Sequence, residues 1–510
     1  MPLLEIRSIS KRFGSLQAND AIDLALEQGE ILALLGENGA GKTTLMNILF
    51  GHYAADSGSI AINGKVLPPE STDAALKAGV GMVHQHFTLA DNLSVLDNII
   101  LGTESLWSLS SKIGRARDKL AGIMASLQLD VDLDTLVADL SIGQRQRVEI
   151  LKALYRDATI LILDEPTAVL TPQEVDGLFQ LLREMVSNGL SIILISHKLN
   201  EVLSIADRIA VLRQGKLVAE NSASSINRDE LAELIVGRKI SRPISKPITP
   251  GPPIIVLSDV SVEHADRQSL ENIDLDVNRH EILGIAGVAG NGQTALADLL
   301  SGISFPDSGT IDFALAPGGK LTATKLALNG AARIPEDRHT SGVIGDMSIW
   351  ENLMLEDLGS LPCWKSGVIL DRTAARERAS QLIRAFDIRC ASMDMPASLL
   401  SGGNMQKVII ARNFRRTPDF ILANQPVRGL DEGAIAFVHQ QLLNAREAGA
   451  GIVLISEDLD ELLSLADQVM VIHRGKLSQP MRANLLTPRE LGIQMTGGDI
   501  PIAAGASNAV

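Results

Sequence analysis

Residues 31–44 read ILALLGENGAGKTT, and this stretch decides the fold. The apolar run from Ile31 to Leu35 reads as a buried strand, and Gly36 to Thr43 satisfy G-x-x-x-x-G-K-[ST] directly after it. Glycines in such a loop let backbone N–H groups turn inward around phosphate oxygens, and the following helix adds its partial positive charge. Lys42 reaches the β and γ phosphates of a nucleotide, and Thr43 can ligate Mg²⁺. The predicted phosphate cradle is therefore Gly36, Glu37, Asn38, Gly39, Ala40, Gly41, Lys42, Thr43 and Thr44. Phe13, ahead of the strand, can stack on an adenine or pack in the core.

The same stretch occurs twice. EILALLGENGAGKTTL from Glu30 returns as EILGIAGVAGNGQTAL from Glu281, and DSGSI from Asp56 returns in the same register as DSGTI from Asp307. LSIGQ at Leu140 returns as LSGGN at Leu400, slightly further on, so the second copy carries a short insertion. Two copies of one α/β fold follow: residues 1–240, a proline-rich linker at 241–253, residues 254–495, and a tail at 496–510 expected to be poorly ordered. Residues from about Asn92 to Val137 lack apolar strand runs and read as a helical insertion.

Further along the first copy, ILILDEP ends a buried strand in Asp164 and Glu165. The first carboxylate can hold Mg²⁺ through water, and the second can orient or deprotonate an attacking water. Gln85 offers an amide to Mg²⁺ and that water, and His197, after SIILIS, can hydrogen-bond the γ-phosphate. His84 and His86 flank Gln85 without a third ligand nearby, which argues against a metal pair.

GENGAGKTT, LSIGQRQRVEI, LILDEPTAVLT and ISHKL resemble the phosphate loop, signature, second carboxylate motif and switch histidine of ATP-binding-cassette proteins, over nearly the whole chain. The resemblance implies two fused P-loop cassettes, each a RecA-like core with a helical subdomain and an antiparallel β-subdomain. It also implies that a signature binds the γ-phosphate held by the opposite cassette.

The second copy departs from that pattern in an ordered way. Gln293 stands at the lysine position, Asn424 and Gln425 replace the two carboxylates, Glu457 replaces the histidine, and Glu336 replaces Gln85. Without cation, metal anchor and base, hydrolysis there should be negligible. Yet this copy keeps LSGGN, with Ser401, Gly402, Gly403 and Asn404, and RGLD ending in Asp431, where the first copy has LSIGQ and Thr171. By the resemblance, Ser401 to Asn404 and Asp431 serve the nucleotide held by Lys42, giving one competent site.

Composition narrows the class. At 510 residues the chain fits two domains of roughly 200–250 residues each. A net charge of −15 repels nucleic acid and anionic lipid, so nucleotide must be held by local geometry. Cys363 and Cys390, the two cysteines, form no CxxC. No run reaches the ~18 apolar residues of a spanning helix. The closest resemblance, carried by GMVHQHF, GVAGNGQ and NQPVRGLD, is to ATPase subunits of bacterial nucleoside importers, with simple-sugar importers next. It implies a peripheral ATPase on the cytoplasmic side of the inner membrane, with Mg²⁺ and ATP. Two integral-membrane permease subunits and an extracytoplasmic solute-binding protein complete the set, and no nucleic acid takes part. Permease docking is expected beside Gln85, so cysteines introduced near Asn92 or Asn98 should cross-link to permease loops and sites near Arg213 should not. Soluble twin-cassette proteins of the ribosome are an alternative of another class. They keep both sites complete and carry long charged linkers, which this chain does not.

Overall fold

The computed structural model describes residues 2–498, apart from residues 15, 85–87, 104–112, 128, 130, 168–169, 171, 197, 238–242, 244, 266, 317–321, 358–363, 366–368 and 496. The chain divides into two compact units, Met1–Ile240 and Ser241–Val510. Gln85, His86, Thr171, His197, Cys363 and the tail from Asp499 lie outside the described residues.

In the first unit, the apolar runs form a sheet in the spatial order Lys216–Ser222, Arg208–Arg213, Ile31–Leu35, Ser191–Ile195, Ile160–Asp164 and Val80–Val83. All neighbouring pairs are parallel except the first. Every residue of Ile31–Leu35 and Ser191–Ile195 is buried, as expected for parallel strands covered on both faces. A second, antiparallel sheet pairs Leu4–Phe13 with Leu16–Leu26 and Ser57–Ile62. The helical insertion contains Val95–Ile100 and Ile113–Ser126, which pack with Ile142–Tyr155 through Val95, Ile99, Leu120, Val148 and Leu151. These three parts match the expected core, helical subdomain and β-subdomain.

Of the two positions named for cross-linking, Asn98 itself is buried, at 1% exposed. Its Oδ1 accepts from Ala90 N at 2.7 Å and its Nδ2 donates to the carbonyls of Ala90 and Ser94, each at 3.0 Å. The amide replaces backbone partners for a turn that would otherwise bury unsatisfied groups. Asn92 is exposed.

The second unit repeats the plan. Its sheet runs Ala331–Ile334, Phe420–Asn424, Gly451–Ser456, Ile282–Ala286 and Gln468–His473, with an antiparallel sheet from Pro253–Val262, Leu270–Asn278 and Ser308–Phe313. Asn352 repeats the role of Asn98, closing on Ile344 and Ser348. Part of the insertion falls in the wide turn Arg338–Gly342, which Asp337 caps by accepting from His339 N and Thr340 N.

The proline-rich segment is not a free spacer along its whole length. Arg446, fully buried, donates to Ser245 Oγ at 2.8 Å and to the Lys246 carbonyl, and pairs with Asp467 at 3.0 Å. Burial raises the Asp467 carboxyl, while the Ile282 N–H and Arg446 pull it back. The second unit thus takes in residues 245–246.

Candidate active site

The strand Ile31–Leu35 delivers its C-terminal end into the loop, and the helix Lys42–Leu49 leaves from it. Gly41, at φ 101°, caps that helix. A Cβ there would come 2.2 Å from the Ala18 carbonyl, so only glycine fits. Buried Asn19 holds the turn from the β-sheet side, donating to the Gly41 carbonyl at 3.1 Å. The helix's first N–H groups have no intrahelical acceptor by geometry, which leaves them for a ligand. Lys42 arches back over the loop, its Nζ 2.7 Å from the Gly36 carbonyl and 3.1 Å from that of Glu37. An ammonium held at the loop's mouth suits a terminal phosphate.

Asp164 closes the strand Ile160–Asp164, and Glu165 follows at φ 49°, with its N–H on the Ile195 carbonyl at 2.8 Å. A non-glycine residue in this left-handed region is strained and is held there by its surroundings. Burial raises the Asp164 carboxyl, adjacent Glu165 raises it further, and Lys42 opposes both. Two adjacent, half-buried carboxylates are electrostatically uphill alone. The Asp164 carboxylate offers the hard oxygen that Mg²⁺ prefers, so its chemistry fits that ion. Phe13 is exposed, in edge contact with Tyr53 at 5.7 Å and beneath Lys11 Nζ at 5.5 Å, so core packing is excluded for it. His84 stacks on His52 at 6.2 Å.

In the corresponding loop of the second unit a neutral amide spans the loop in place of an ammonium and also takes one of its N–H groups. Gln293 donates to the Val288 carbonyl at 2.6 Å, where Lys42 reaches Glu37, and its Oε1 accepts from Asn291 N at 3.0 Å. Gln425 keeps the strained backbone, at φ 49°, with its N–H on the Ile455 carbonyl, but its side-chain oxygen accepts from Glu457 N at 3.4 Å. Asn424 is buried, and Glu336 pairs with Arg428. Neutral or paired groups thus stand at each position where the first unit has an ionised or cation-binding one.

Signature segments show the opposite bias. Ser401 caps the helix Gly402–Asn413 and is exposed, its Oγ accepting from Asn404 Nδ2 at 2.9 Å. Asp431 caps the helix Glu432–Glu447, accepting from Ala434 N at 2.8 Å. A Cβ on Gly403 would lie 3.1 Å from Ala434 Cβ and 3.7 Å from Asp431 Oδ2, so Ser401–Asn404 and Asp431 sit side by side. In the first unit, the Glu174 carboxylate takes the place of Ala434, its Oε1 2.8 Å from where a Gly143 Cβ would stand. The first signature is thus crowded at Gly143 by the Glu174 side chain, while at Gly403 the nearest group is the Ala434 methyl. Glu174, Ala434 and the Gln293 bonding were not singled out from sequence, because each acts on a motif some distance along the chain or through a side-chain rotamer.

The ABC transporter family model matches residues 19–168 and 270–428. The chain is 42% identical to the nucleoside import ATP-binding protein NupA of Lactococcus lactis subsp. cremoris, covering 98% of this chain and 99% of that one. It is 42% identical to the guanosine import ATP-binding protein NupO of Bacillus subtilis, over 97% of each chain. Identity is 41% to the glucose import ATP-binding protein TsgD13 of Haloferax volcanii, over 99% and 98%. With two cassettes matched and near full-length identity, this chain belongs to the ABC transporter family, as an ATPase coupled to transport.

Proposed function

We propose that this chain hydrolyses ATP at one competent site to energise import of nucleosides. In this reading Gly36 to Thr44 bind the phosphates, Lys42 neutralises the γ-phosphate, and exposed Phe13 stacks on the adenine. Thr43 and Gln85, with Asp164 through water, would hold Mg²⁺, which supplies charge neutralisation at the phosphates when bound. Glu165 takes or orients the proton of the attacking water, and His197 hydrogen-bonds the γ-phosphate. Turnover at this site depends on Ser401, Gly402, Gly403, Asn404 and Asp431 of the second half; the close placement of Gly403 and Asp431, the crowding of Gly143 by Glu174 and the neutral Gln293 in the second loop support that dependence.

The solute assignment rests on the two nucleoside-import relatives, each matched over nearly its full length. Among the described residues no helix is long and apolar enough to cross a membrane. Two permease subunits would therefore provide the path, with this chain on their cytoplasmic face and an extracytoplasmic binding protein delivering solute. The glucose-import relative supports a second reading, sugar import. Vesicles carrying the assembled transporter and its binding protein separate the two. Guanosine should stimulate ATP hydrolysis and accumulate inside, and glucose or ribose should do neither; stimulation by the sugars alone would overturn the nucleoside assignment.

A further inference from the structure

Arg338 opens the wide turn Arg338–Gly342, in the segment where the second copy has gained residues. Its Nη2 donates to the Arg428 carbonyl at 2.5 Å, on the loop that leads to Asp431. The same guanidinium lies against the signature: a Cβ on Gly402 would stand 3.6 Å from Arg338 Cζ, and one on Gly429 3.2 Å from Nη2. The Arg428 side chain is engaged elsewhere, with Glu336. One planar group therefore touches both segments that the second half has kept intact.

The repeat supplies an independent observation. In the first copy Ile142 and Val169 stand where the second has Gly402 and Gly429, and no arginine occurs between Gln85 and Asn98, the stretch that corresponds to the segment holding Arg338. Glycines at 402 and 429 leave the room that a flat guanidinium needs, and the copy whose sequence has larger residues at both positions has no arginine in the corresponding stretch.

We infer that Arg338 is a positioning residue for ATP turnover, holding the signature turn at Ser401–Gly402 in fixed relation to the loop ending at Asp431. This rests on the reading that the second half's signature serves the first half's ATP. A guanidinium suits the task because its rigid fork donates to a carbonyl while its face packs on backbone; an ammonium can do only the first. Misplacing a catalytic element by about 1 Å costs up to about 10²-fold in rate.

The test uses the full-length chain in the assembled transporter, with ATP as the probe. Arg338→Ala should lower kcat by on the order of 10- to 10²-fold while KM for ATP stays within about twofold. Arg338→Lys should recover part of the loss, which a general folding defect would not follow. Thermal midpoints identify any variant that fails to fold, in which case Arg338→Lys and Arg338→Gln carry the test. Ser401→Glu is measured alongside. If Ser401→Glu abolishes turnover and the Arg338 variants run at the wild-type rate, the role of Arg338 is overturned and the dependence on the second signature stands. If Ser401→Glu leaves turnover intact, the underlying reading fails instead. A raised KM at unchanged kcat would also overturn positioning, since it would make Arg338 a binding group.

Discussion

At the residue scale, a few substitutions change the charge of the loop between the two copies. Glu165 and Gln425 share backbone strain and the same N–H partner, so their difference is confined to one side-chain charge. Glu165→Gln should therefore keep ATP binding and lower phosphate release by ~10²–10⁴-fold, the usual cost of losing a positioned base. Wild-type turnover in that mutant would remove Glu165 from the mechanism. Asp164 supplies a second comparison, because Asn424 already shows the neutral version. A carboxyl whose folded pKa is raised keeps its proton better in the folded state, so it adds stability at low pH and loses it as pH rises through the raised value. Asp164→Asn should then abolish turnover yet raise the melting midpoint of the nucleotide-free chain at neutral pH. A lowered midpoint, measured by calorimetry without nucleotide, would show that Asp164 is compensated in the free protein.

At the scale of elements, the sequence is legible where the signal is local. ILALL before GENGAGKT places strand, loop and helix together, because burial on both faces and the glycine spacing are written in adjacent residues. Asn98 illustrates the limit. A polar residue in a helical stretch reads as surface, whereas its amide closes a turn whose partners, Ala90 and Ser94, have no side-chain signature. Asn98→Cys should consequently destabilise the chain by about 1–3 kcal/mol, the cost of buried unsatisfied backbone groups, and react poorly with thiol reagents. Exposed Asn92→Cys should react freely and cross-link to permease loops. Equal labelling of both positions in the folded chain would contradict the burial of Asn98.

For the whole molecule, the duplication is readable from register alone, and so is the loss of Lys, Asp, Glu and His positions in the second copy. Sequence leaves open what else separates the two copies. The structure adds two differences: neutral Gln293 takes the Asn291 N–H of its own loop, and Glu174 crowds Gly143 of the first signature where Gly403 of the second meets only the Ala434 methyl at close range. Neither follows from motif spacing, since the first is a rotamer and the second lies on the helix Pro172–Ser187, well beyond the motif it affects. If one site turns over and depends on the second signature, a negative charge placed at Ser401 meets the γ-phosphate held by Lys42, and like charges there repel strongly. Steady-state ATP hydrolysis of Lys42→Ala, Ser401→Glu and Ser141→Glu in the assembled transporter tests this most directly. Ser401→Glu should be as damaging as Lys42→Ala, with Ser141→Glu milder; a more severe loss from Ser141→Glu than from Ser401→Glu would contradict the single crossed site.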